Sequence, residues 1–192
     1  MNDIILIGGG GHCKSVIDVI ELENRFNIAG IIDKAEFVGT SILGYKVIGD
    51  DSKMKELAST FTNAIITIGQ IESPDKRKIL FNNALAAGFK LPSIVSPKAY
   101  LSKYSKVGSG TIVMHHALVN ANVQIGSNCI INSGSIIEHD SKILDHCHIS
   151  TNTCINGGVS IGEGSFLGSG STTKESLVIP KNSFIKAGSL VK

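Results

Sequence analysis

Tryptophan is absent from the 192 residues, and aromatic side chains make up only 5%. Stacking platforms for single-stranded nucleic acid are therefore thinly supplied. Neither sign of charge dominates: the formal net charge is +2 and charged residues make up 18%. That balance excludes an electrostatic nucleic-acid binder and a disordered charged tail. No apolar run approaches the roughly 18 residues of a membrane span, and Met1 to Ile7 is too short for a signal h-region. A soluble cytoplasmic protein without a membrane span is expected. Cys13, Cys129, Cys147 and Cys154 show no Cys-x-x-Cys spacing, so neither a chelated metal nor a redox pair is expected.

What is present is a period of six. From Val95 to Val191 every sixth residue is Val, Ile or Leu, with Thr173 the one departure. The second residue before most of them is small, as at Ala117, Cys129, Ser135, Cys147 and Ser165. Six is neither the helical nor the simple strand period. It suits a prism of short flat faces with the aliphatic residue turned inward beside each corner. Three faces make an 18-residue coil, and roughly five coils stacked at about 4.8 Å make a column roughly 25 Å tall. Cys129 and Cys147 are 18 residues apart, in the same slot of successive coils, and read as buried free thiols filling the core.

Residues 1–92 have another texture, and a boundary between two domains is expected there, with 93–192 forming the second. Apolar runs at Ile4–Ile7, Ile28–Ile32 and Ala64–Ile68 alternate with helical patterns at Val16–Leu22, at Lys53–Ser59 and from Ser73-Pro74 to Ala87. Ile42–Ile48 reads as a short strand or extended link. Alternation of this kind implies a small parallel α/β sheet, whose ligands bind off the carboxyl ends of the strands. Those ends carry Gly10-Gly11-His12, Asp33 and Gly69. A glycine run opening a helix lets backbone N–H groups approach a phosphate, and Asp33 stands where an acid can accept from a ribose hydroxyl. The dinucleotide fingerprint is incomplete, since Cys13 and Lys14 stand where the third glycine belongs. A mononucleotide or nucleotide-sugar suits the site better than NAD, and a purely structural tight turn stays open.

Histidines are the obvious catalytic groups of the repeat: His115, His116, His139, His146 and His148. The Glu138-His139-Asp140 triple is the sharpest, because an imidazole held by a carboxylate is a suitable general base. Neighbours in a strand face opposite ways, so Asp140 reaches His139 only if the chain turns between them. Imidazoles are numerous enough for a zinc site between subunits to be weighed. The 24-residue spacing of His115 and His139 is not a whole number of coils, which disfavours one within a chain. A non-catalytic binding or scaffold column is the remaining alternative class.

The chain resembles the hexapeptide-repeat sugar acetyltransferases of the PglD and NeuD type. The resemblance rests on the 95–191 repeat, on Gly8-Gly9-Gly10-Gly11-His12 after a strand, and on Asn132 to Asp140 followed by His146-Cys147-His148-Ile149-Ser150. It implies a Rossmann-like α/β subdomain followed by a left-handed parallel β-helix. It implies a homotrimer with shared sites, and direct transfer from acetyl-CoA with no metal. The acceptor implied is the amine of a nucleotide-linked 4-amino-4,6-dideoxy-sugar, with a sialic acid hydroxyl as second choice. His139 would be the base and Asp140 its acid; His148 and the Gly157 N–H would meet acetyl-CoA. Gly10, Gly11, His12, Asp33, Lys34 and Gly69 would hold the nucleotide-sugar. Asp140 departs from the Glu of PglD itself, which shortens the acid's reach. The sequence ends at Lys192 without the Gly-x-Pro-Ala tail of many relatives, so part of the CoA-site wall is expected to differ.

Overall fold

The computed structural model describes residues 2–192. The first part comprises β1 (Asn2–Ile7), α1 (Gly11–Glu23), β2 (Phe26–Ile32), β3 (Ser41–Ile42), β4 (Tyr45–Gly49), α2 (Met54–Ala58), β5 (Asn63–Ile66) and α3 (Asp75–Ala87). The strand order is β3-β4-β2-β1-β5. β1, β2, β4 and β5 are parallel, and β3 joins β4 antiparallel. The stretch read as one strand or link is thus a hairpin. Leu43 and Gly44 both take positive φ (48° and 89°), the conformation a two-residue hairpin turn needs. The helix expected from Lys53 is shorter, because Asp50 first caps a 3₁₀ turn over Asp51–Lys53. α3 starts where expected: Ser73 Oγ accepts from the Asp75 N–H at 3.1 Å, and Gly88 (φ 106°) ends the helix.

From Ile94 the chain makes a two-residue strand every six residues, and these stack as three parallel sheets. The first face runs from Ile94–Val95 to Phe184–Ile185, the second from Tyr100–Leu101 to Leu190–Val191, and the third from Lys106–Val107 to Val178–Ile179. This is the β-helix the repeat predicts. Val113, Val119, Ile125, Ile131, Ile137 and their successors fill the interior, with Cys129 and Cys147 fully buried among them. A residue with positive φ stands at every sixth position from Gly110 to Gly188. Gly, Asn, Asp, His or Ser occupies these positions, and they are the corners.

The first part of the chain covers the column's first face. Val16, Ile17 and Ile20 of α1 form one apolar cluster with Ile94, Ile112 and Met114. The buried Arg77 of α3 donates to the Ile66 carbonyl (2.8 Å), the Ile68 carbonyl (2.7 Å) and, across the junction, the Asn128 carbonyl (3.3 Å). His115, at the next corner, meets Asp18 of α1 at 2.7 Å. Gln70 Nε2 donates to the His146 carbonyl at 2.8 Å, and its own carbonyl accepts from His148 Nδ1 at 2.5 Å. No helix among the described residues is long and apolar enough to cross a membrane.

Two histidines of this junction are held neutral. Burial, with Arg77 and His148 nearby, lowers His12 from 6.5 to about 3. Burial outweighs the Gln70 carbonyl and lowers His148 to about 4. The unfolded chain binds both protons near pH 6.5 while the folded chain does not. Stability is therefore full above that pH and falls as the pH drops toward 4. For His148 the loss is on the order of 3 kcal/mol. Urea unfolding at pH 7 and pH 4.5 measures it, and His148→Asn is expected to flatten the dependence. Equal slopes for both proteins would contradict this account of the junction.

Candidate active site

His139 lies two residues after the inward Ile137, and Asp140 occupies the corner itself with φ 63°. That conformation is costly for most side chains and tolerated by Asp and Asn. It is the turn that strand geometry alone could not supply. It swings the Asp140 carboxylate back onto its neighbour, with His139 Nδ1 to Asp140 Oδ2 at 2.8 Å. Asn122, at the same corner one coil earlier, donates to Asp140 Oδ1 at 2.7 Å. Hydrogen bonds from Asn122 and then His139 hold the Asp140 carboxyl below the usual carboxylate range. It stays ionised, fixes the ring, and leaves Nε2 free of protein partners among the described residues. Glu138 points elsewhere and accepts from Asn120 Nδ2 at 2.7 Å.

The ring stands in an open cleft of about 540 Å³ lined by Glu138, Asn156, Gly157, Glu175 and Ser176. Gly157 lies flat against it. A Cβ there would sit 2.8 Å from His139 Cε1 and 2.9 Å from Nε2. The Gly157 N–H has no hydrogen-bond partner among the described residues. The structure therefore brings His139, Asp140 and Gly157 together.

His148 is apart from them. It faces outward on the first face, where the α/β part covers it, and only 7% of it is exposed. Both ring nitrogens are engaged, Nδ1 by the Gln70 carbonyl and Nε2 by the Asn132 amide at 3.1 Å. Within one chain its ring is enclosed. His146 packs edge-on to Phe81 and meets the Asn128 amide at 2.9 Å, and burial lowers its pKa. His115 is taken up by Ser96 Oγ (2.6 Å) and Asp18. Among the described residues no group of three or more His, Cys, Asp or Glu is placed to hold a metal.

The second cluster lies at the carboxyl ends of β1, β2 and β5. Asp33 accepts from the Gly9 N–H at 3.1 Å and from the Lys34 N–H at 2.9 Å. A Cβ on Gly9 would sit 2.5 Å from Asp33 Oδ2, so packing requires that glycine. Gly10, the residue before α1, and Gly11, its first residue, would meet nothing within 4 Å. Their N–H groups are open to a ligand at the positive end of the helix. The His12 Nε2 is buried without a partner, and Gly69 is exposed after β5. Gly8, Asp33 and Lys34 line a cleft of about 320 Å³ that also takes in Ser52 and Lys76. Sequence reading did not single out Ser52 or Lys76. The turn before α2 and the start of α3 bring them in, and their spacing carries no motif.

Comparison with known proteins agrees with this architecture. A family model described as the PglD N-terminal domain matches residues 3–84, and one described as bacterial transferase hexapeptide (six repeats) matches residues 104–139. The perosamine N-acetyltransferase of Caulobacter crescentus was solved as a histidine variant with CoA and GDP-perosamine. It superposes with a TM-score of 0.94 at 31% identity, covering 100% of this chain and 89% of that one. The acetyltransferase domain of PglB from Neisseria gonorrhoeae gives 0.93 at 26% identity, covering 100% and 92%. An uncharacterized protein of Acanthamoeba polyphaga mimivirus is 32% identical over 127 residues, 64% of this chain. The match spans 23% of that relative's length. On these grounds the chain is an acyltransferase and belongs to the hexapeptide-repeat sugar acetyltransferases of the PglD and NeuD type.

Proposed function

We propose that the protein transfers the acetyl group of acetyl-CoA to the amine of a nucleotide-linked 4-amino-4,6-dideoxy-sugar, with His139 as general base. One observation carries the reading: an Asp140-anchored imidazole with a free Nε2 stands in an open cleft against the Gly157 N–H. The amine nitrogen attacks the thioester carbon as Nε2 takes its proton, and a C–N bond forms. The carbonyl electrons move onto oxygen, where the Gly157 N–H donates to them. Collapse breaks the C–S bond, and the imidazolium returns its proton to the departing CoA sulfur. Asp140 stabilises the imidazolium while it exists. One oxyanion donor is worth about 3 kcal/mol, and general-base help adds ~100- to 10,000-fold.

Gly10, Gly11, His12, Asp33, Lys34 and Gly69 would hold the nucleotide-sugar. The helix end would take phosphate and the acid a ribose hydroxyl. The similar Caulobacter crescentus enzyme, solved with GDP-perosamine bound, supports such a ligand class. His148 would act toward acetyl-CoA from beneath, through Asn132 and the packing of its coil. Acetyl-CoA and nucleotide-sugars as substrates fit a cytoplasmic enzyme.

The geometry favours a homotrimer. The α/β part sits on the first face, whereas His139 stands at the corner between the second and third faces, on the far side of the prism. With the α/β part on one face and His139 at the opposite corner, the nucleotide cleft that serves a given base would be that of a neighbouring copy. The outward positions of the second face suit that contact. They are Tyr100, Leu118, Ile136, Cys154, Thr172 and Leu190, against Lys106, Gln124, Lys142, Ser160 and Val178 on the third, where Val178 is the one aliphatic.

His139→Ala is expected to lower kcat/KM at least about 100-fold while CoA binding by calorimetry persists. Activity within tenfold of the parent would remove His139 as the base. Gly157→Ala drives a methyl into the imidazole, so kcat should fall about tenfold or more with the melting temperature unmoved; full activity would show that the ring has room to shift. Ile136→Asp places a charge on the second face. Light scattering should show three chains for the parent and one, inactive, for the variant. A fully active monomer would refute the shared site.

A further inference from the structure

Thr173 is the one inward position of the repeat that is not aliphatic, and it lies one coil beyond Ile155, next to Asn156 and Gly157. It is 1% exposed, so its hydroxyl sits among aliphatic side chains and must find a partner there. It finds the main chain of the cleft. Elsewhere on the column the residue after the inward one donates its N–H to the backbone carbonyl of the inward residue in the next coil. Glu138 donates to Ile155, and Gly162 to Ile179. At Asn156 this pattern breaks. Its N–H goes to the Thr173 hydroxyl at 3.0 Å, and the strand register there keeps Cys154 with Thr172 only. The Thr173 carbonyl, left open, accepts instead from Asn156 Nδ2 at 2.7 Å.

This exchange changes what the Asn156 side chain does. Asparagine occupies the same slot at positions 120 and 132. There its Oδ1 turns back and accepts the next backbone N–H, that of Ala121 at 2.7 Å and that of Ser133 at 2.8 Å. The corresponding N–H after Asn156 belongs to Gly157. Because Thr173 draws the Asn156 carboxamide onto its own carbonyl, that N–H is uncapped among the described residues and opens on the cleft beside His139.

We infer that Thr173 is a positioning residue: its buried hydroxyl diverts Asn156 and thereby keeps the Gly157 N–H available to the carbonyl oxygen of the acyl donor. The inference rests on the acetyl-transfer reading above. A donor already shared with an asparagine oxygen is weakened toward a developing oxyanion, whereas an unshared one needs no reorganisation when the charge forms.

Thr173→Val removes the hydroxyl, keeps the shape, and restores the aliphatic repeat. The Asn156 N–H is then expected to return to the backbone carbonyl of residue 173, and the carboxamide to cap Gly157 as Asn120 and Asn132 cap their neighbours. kcat should fall about tenfold or more with KM for both substrates within threefold. The melting temperature should be unchanged or higher, since a buried hydroxyl has been replaced by a methyl. Thr173→Ser should retain activity. The double variant Thr173→Val with Asn156→Ala, having no carboxamide left to cap Gly157, should regain most of the lost kcat. Thr173→Val within twofold of the parent, or a double variant no better than the single, would overturn the inference. His139→Ala measured alongside separates the two failures. If it is inactive while Thr173→Val is fully active, only the role of Thr173 falls. If both are active, the acetyl-transfer reading falls as well.

Discussion

A backbone corner held at positive φ every six residues is the constraint from which the rest follows. Each corner turns the chain by one face of the prism, sends the aliphatic residue inward, and stacks like positions of successive coils directly on one another. Residues 18 apart become neighbours, which is how Asn122 reaches Asp140, Asn128 reaches His146 and Asn120 reaches Glu138. Because left-handed φ is cheap only for Gly and for short polar side chains, the corners collect Asn, Asp and His, and the column is lined at its edges with hydrogen-bonding groups. The His139–Asp140 pair is formed at one such corner. Asp140 is short because its backbone must be left-handed, and that same φ aims its carboxylate at His139.

The column was legible in the sequence because its interior repeats without a break, and the alternation of strands and helices announced the sheet before it. The hairpin at Leu43–Gly44 was not, since a single left-handed Leu carries no signal of its own. The His139–Asp140 contact was left open by strand geometry. The deciding signal was present all the same: Asp140 shares its slot with Gly134, Asn152 and Gly158, which marks it as a corner. The enclosure of His148 was not legible, because it depends on which face the α/β part covers, and no local pattern states that. Thr173 stood out as an exception, but its partner Asn156 lies 17 residues earlier and is found only once the coils are stacked.

The two halves divide the work. The sheet offers open helix-end N–H groups and a fixed acid at the ends of its strands, while the column offers an imidazole, the carboxylate that holds it and an unshared N–H in a cleft. Neutral His12 and His148, with Arg77 between the halves, make their junction a buried seam of hydrogen bonds. Such a seam matters because general-base catalysis requires placement to within a fraction of an ångström. The α/β part covers the first face of the prism, and the His139 corner lies between the other two faces, which is the arrangement behind the proposal that copies share a site.

The most direct test of the central claim is acetyl-CoA turnover, read as free thiol release, against UDP-, dTDP-, GDP- and CMP-linked sugars with and without a free amine. The account predicts release with an amino-sugar nucleotide, and none with the same nucleotide-sugar lacking the amine. Release that is indifferent to the amine, or absent with every amino-sugar nucleotide while CoA still binds, would contradict it.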